Sequence, residues 1–162
     1  MVVRSRGVHP KKRPRSDKRP GAEKEIPLMD FEAAMVYVDR ARKIGAQMGL
    51  RVTVAVHDAA GHPVVVARGG DKWHGPYMAM GKARLAAAFQ KPTADLVEQW
   101  RDRPLFPASL IEVIPGGVTV NPGGHPIFVD GECVGAIGVG GGNPEQDAEV
   151  ARLTVEGVEQ DL

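Results

Sequence analysis

The sequence predicts an α+β domain, a largely antiparallel sheet covered by helices, and three observations carry that expectation. Two pairs of apolar runs are each joined by a short glycine-bearing turn, at residues 59–62 and at Asp130-Gly131, so the strands within each pair are expected to run antiparallel. Stretches with helical spacing precede, separate and follow those pairs. The glycines Gly140, Gly141 and Gly142 then lead into Asn143-Pro144-Glu145-Gln146, which reads as a helix start with Asn as N-cap and Pro at the first helical position.

In chain order, the first helix is expected from Met29, with Phe31, Ala34, Met35, Val38, Ala41, Gly45 and Met48 on one face and Gly49 as its C-terminal cap. The hairpin over residues 51–68 follows. Its alternation places Val52, Val54 and Val56 on one face and Thr53, Ala55 and His57 on the other, where His57 reads as an edge or helix-covered polar side chain. Residues 77–90 form a helix apolar nearly all round, a mark of burial in the molecule or against another subunit. Thr93 is expected to cap the next helix, and the proline-rich residues 104–117 to form a short helix or an extended cover. A brief strand is expected at residues 118–120, before the Asp130-Gly131 hairpin. The last helix places Ala148, Ala151, Val155, Val158 and Leu162 on its inner stripe.

Charge divides the 162 residues unevenly. Residues 1–25 hold nine Lys/Arg and three Asp/Glu, whereas the remainder holds twelve and seventeen. The opening segment has no apolar periodicity and several prolines, so residues 1–27 read as a disordered basic arm and residues 28–162 as the domain. The acidic domain argues against nucleic-acid binding except through that arm. No run approaches the ~20 apolar residues of a membrane helix, and no secretory signal is evident. The single Cys133 excludes an internal disulfide and reads as a buried thiol. A cytoplasmic protein without membrane contact is expected.

Several motifs bear on chemistry. Trp73 and His74 are adjacent in a loop bracketed by glycines and a proline, where packing alone does not demand an aromatic beside an imidazole. His74 is a candidate metal or haem ligand or proton-transfer group, or else an oligomer contact. Lys82 and Arg84 are the only charges of the apolar helix, and two residues apart they point in nearly opposite directions. At least one is expected to meet a carboxylate or an anionic ligand. The glycine hinge is not a nucleotide loop: there is no GxxxxGK[ST] and no GxGxxG, and Asn143, Glu145 and Asp147 already satisfy the helix start. Zinc spacing and a GxSxG elbow are also missing.

The blocks AVHDAAGHPVVVARGGD, GKARLAAAFQKPT and PGGHPIFVDGECVGAIGVGGGNPEQD, in that order, resemble the GlcG/HbpS family, also called haem-degrading, which includes the C-terminal domain of PduO proteins. Gly140 stands where that family usually has serine, and His57 and His125 where it commonly has other residues. The resemblance implies a profilin-like fold with a five-stranded antiparallel sheet, and self-association from dimer to octamer. It also implies non-covalent haem binding at a subunit interface, with a corrinoid as second candidate. On that reading His74 is the axial ligand, Lys82 pairs a propionate, and Thr93, Gly123 and Gly124 line the site. No CxxCH attachment signature is present, so haem would be exchangeable. The alternative is an enzyme on a small carboxylated metabolite, with Lys82 as anchor, His74 or His125 as acid or base, and Glu145 nearby. A structural partner subunit is the third reading.

Overall fold

The computed structural model describes residues 28–161; the expected arm over residues 1–27 and Leu162 of the last stripe lie outside the described residues. Helix α1 (Phe31–Gln47) begins where the Asp30 carboxylate accepts the Ala33 N–H at 2.9 Å. It ends as the composition predicts: Gly49 takes a left-handed φ of 71°, and the Gly49 and Leu50 amides return to the carbonyls of Ala46 and Gly45.

Strands β1 (Thr53–Asp58) and β2 (Pro63–Ala67) form the first hairpin, and β3 (Gly124–Val129) and β4 (Glu132–Gly140) the second. Asp130 and Gly131 both have positive φ, as a two-residue hairpin turn requires. The four strands make one antiparallel sheet in the order β2-β1-β4-β3. The fold is therefore α+β with four strands in the described residues, and not the five expected. Residues 118–120 lie in no strand. Arg84 holds the carbonyls of Gly116 and Gly117 at 2.8 and 2.6 Å, and Thr119 packs against Gly81. The segment lies along a helix, so its apolar residues serve packing and not a ladder.

Between the hairpins run α2 (Gly75–Phe89), α3 (Thr93–Gln99) and α4 (Leu105–Val113), and α5 (Pro144–Gln160) closes the chain. The proline-rich stretch is thus helical, with Pro104 immediately before the helix and Pro107 in its first turn. Thr93 does not cap α3; Pro92 occupies that position. The Thr93 hydroxyl instead donates to the Asn121 carbonyl and accepts the Gly124 N–H, both at 2.8 Å. Asn143 caps α5 as expected and forms a reciprocal capping box with Gln146. The buried stripe of α5 is rotated from the expected one, to Asp147, Val150, Ala151, Thr154, Val155 and Val158, while Ala148 is half-buried. Cys133 is half-buried as well, with its thiol pKa raised mainly by burial.

The sheet separates two layers. Val54, Val56, Ile127, Ile137 and Val139 pack against α1 and α5 in the main core. On the opposite face Ala55, Ala136 and Gly138 receive α2. A Cβ at Gly138 would lie 2.0 Å from the Ala79 carbonyl oxygen, so only glycine lets α2 seat this closely. A smaller cluster of Leu85, Leu96, Trp100, Leu110 and Val118 joins α3 and α4 to the far end of α2.

Candidate functional site

Lys82 sits in the middle of α2 because the helix's inner face has nowhere polar to send it except the end of β4. Its ammonium is 2% exposed at the residue level and donates to the Val139 carbonyl at 2.9 Å and to Asp147 Oδ2 at 2.8 Å. Asp147 Oδ1 accepts the Gly142 N–H at 2.8 Å. One carboxylate on the first turn of α5 therefore fixes the glycine hinge on one side and neutralises the cation of α2 on the other. The carboxylate partner expected for a charge on this helix exists, 65 residues away in sequence.

Beside this pair lies a cavity of about 260 Å³ at the N-terminal end of α2. Lys82 and Asp147 form part of its wall together with His74, Met78, Arg51, Asn121 and the hinge glycines. His74 is exposed and makes no side-chain capping bond to α2, so its imidazole is not committed to holding the helix. Beside it stand two exposed rings, Trp73 in edge contact with His74 at 5.8 Å and Tyr77 in edge contact with Trp73 at 6.2 Å. Large exposed aromatics next to a lined cavity are a recognition feature, since they place apolar area where a ligand or another chain can cover it.

Of the residues singled out in the sequence, His74 and Lys82 are brought together. Thr93, Gly123, Gly124, His125 and Glu145 are not on the cavity wall. Thr93 is fully buried and staples the 121–124 turn, and Gly124 packs against the Lys82 backbone, where a Cβ would lie 2.5 Å from its carbonyl oxygen. Gly123, with φ of 118°, backs onto the Lys82 ammonium. These three support Lys82 from behind and do not line the site. His125 shares the strand face of Ile127, toward the main core, and Glu145 is exposed outside the cavity. Of the two histidines offered as acid or base, only His74 lines the cavity.

His57 is covered by α2, as one of its two expected placements had it, and is fully buried. Its Nδ1–H donates to the Gly61 carbonyl at 2.9 Å, which leaves Nε2 as an acceptor with no partner among the described residues. Burial first, and the nearby Arg84 cation, lower its pKa to about 4. It is a neutral core group.

Sequence reasoning missed Asp147 as the Lys82 partner, and also Arg51, Asn121 and Tyr77. Asp147 looked like a helix-dipole residue, and only the fold joins α5 to α2. Among the described residues no cluster of three or more His, Cys, Asp or Glu could hold a metal ion.

The profile of the HbpS-like family, described as haem degrading protein HbpS-like, matches residues 29–156. The chain belongs to this family. Among solved structures it is similar to HbpS of Streptomyces reticuli, determined as a double Glu→Asp variant, with 27% identity and a TM-score of 0.72 over 92% of this chain and 99% of that one. It is also similar to PduOC in complex with haem, with 25% identity and a TM-score of 0.69 over 80% of this chain and 94% of that one. The Klebsiella pneumoniae protein ORFY shares the fold, at 20% identity and a TM-score of 0.71 over 86% of this chain and 96% of that one. No curated protein matches the chain. Among the described residues no helix is long and apolar enough to cross a membrane.

Proposed function

We propose that this HbpS-like protein binds haem non-covalently at the N-terminal end of α2, at a site completed by a second copy of the chain. The observation that carries the reading is the exposed, uncommitted His74 flanked by the rings of Trp73 and Tyr77. Haem iron takes an axial side-chain ligand, commonly a histidine nitrogen, and the macrocycle takes apolar area against its faces; His74 supplies the first, and Trp73, Tyr77 and Met78 the second. When bound, haem would supply a redox-active iron with an exchangeable coordination position.

Size sets the geometry of the proposal. A cavity of about 260 Å³ falls below the roughly 300–1,000 Å³ of sites that enclose a drug-sized ligand. One copy of the chain would hold only an edge of the macrocycle, and a second copy would cover the rest. Lys82 is already neutralised by Asp147, so Arg51 and Lys72 at the mouth join it as cations facing one propionate. Haem in the PduOC complex and the HbpS relatives support this reading. The same reading takes the fold as profilin-like, the assembly as dimer to octamer and the location as cytoplasmic.

Titration of the purified protein with haemin tests it. A saturable Soret shift is expected, together with a solution mass above that of one chain; free-haemin absorbance throughout the titration would overturn the proposal.

A further inference from the structure

The cavity has a feature that haem alone does not explain. Lys82 carries three N–H donors, and the described structure uses two of them, on Val139 and on Asp147. The residue is almost wholly buried and forms part of the cavity wall, so its third donor has the cavity as its open side. Gly140 lines the same space, and a Cβ built there meets nothing within 4 Å. A side chain at this position would project into open space on the cavity wall. The ionisable walls are Arg51, Lys72 and Lys82 against Asp71 and Asp147, one positive charge in excess when His74 is neutral.

We infer that this cavity is a carboxylate pocket, built for a single carboxylate that accepts from the Lys82 ammonium at the inner end and meets Arg51 at the mouth. The charge balance selects a monoanion, because a second negative charge would face Asp71 and Asp147 without a matching cation. The volume corresponds to about nine waters at ~30 Å³ each, which suits a compact carboxylate or the carboxylate arm of something larger. Two sources share this chemistry, a free small monocarboxylate and a haem propionate. The pocket's carboxylate chemistry is present in haem-free protein.

The test is a titration of ¹⁵N-labelled, haem-free, full-length protein with sodium acetate, and with sodium chloride at equal ionic strength. Acetate is expected to shift the Gly141 and Gly142 amides saturably, and chloride to leave them unchanged. Gly140→Val fills the pocket while leaving the Lys82–Asp147 pair in place, and is expected to weaken acetate binding at least tenfold with the rest of the spectrum retained. Arg51→Gln, at the mouth, is expected to weaken it several-fold and carries the test should Gly140→Val not fold. Haemin and haemin dimethyl ester distinguish the sources. An ester that binds at least tenfold more weakly identifies the propionate as occupant, and equal binding excludes it and, with a saturable acetate shift, leaves a free carboxylate. Absence of a saturable acetate shift, an equal response to chloride, or binding undiminished in the folded variants would overturn the inference.

Discussion

On one face of the sheet Val54, Val56, Ile127 and Ile137 interdigitate with α1 and α5 as an ordinary branched-aliphatic core. On the other, Ala55, Ala136 and Gly138 bring α2 so near that backbone meets backbone. The first face holds the fold through apolar burial, worth about 1.5–3 kcal/mol for each large side chain. The second sacrifices side-chain volume for position. By seating α2 closely it carries Lys82 to the end of β4, and His74 joins it on the cavity wall with the exposed Trp73 and Tyr77 rings beside it. Apolar burial thus stabilises one side of the sheet, whereas the other depends on close backbone seating and a buried ion pair, and substitutions should separate the two.

The largest effect is expected at the buried ion pair. Lys82→Met leaves the Asp147 carboxylate buried without its cation and should cost about 3–5 kcal/mol in urea unfolding. Lys82→Met combined with Asp147→Asn should recover much of that loss. Asp147→Asn keeps an oxygen acceptor for the Gly142 N–H, so a double variant as unstable as the single one would show that the unpaired charge is not what makes the single variant unstable.

The two faces should next differ in their response to one methyl group. Gly138→Ala adds a Cβ against the Ala79 carbonyl, at the upper end of the ~1–3 kcal/mol typical of overpacking. Ile127→Val removes a methyl from the aliphatic face and should cost only about 0.5–1.5 kcal/mol. Equal costs would mean that α2 shifts to accommodate the change, and that its close seating is not needed.

Acid should act through the α2 face. His57 titrates near 4 when folded and near 6.5 in the unfolded chain, so between those values the unfolded state binds the proton that the folded state refuses. Its contribution is fully present above about pH 6.5 and is lost as pH falls toward 4. The loss amounts to about 3 kcal/mol across that window. His57→Leu should flatten this part of a stability-against-pH curve; an unchanged slope would place the acid sensitivity elsewhere.

Much of this architecture was legible because it rests on local chemistry. The Asp130-Gly131 turn, the Gly49 cap and the Asn143-Pro144 helix start each follow from what those residues do within a few positions of themselves. Alternation alone put His57 on the face opposite the valines. The misses are long-range. Nothing near Lys82 names Asp147, and nothing near Thr93 shows that its hydroxyl is taken by the 121–124 turn. Residues 118–120 looked like a strand because a buried apolar segment packed on helices carries the same composition. His125 looked like part of a site because it adjoins Gly123 and Gly124, but the pleat turns it toward the main core.

Under the proposed function, ligand recognition belongs to the α2 face, at His74. Haemin titration of His74→Ala and His125→Ala, read at the Soret band beside the unmodified protein, tests it directly. Loss of the shifted band in His74→Ala, with His125→Ala unchanged, is the expected result; an intact Soret band in His74→Ala would contradict the assignment.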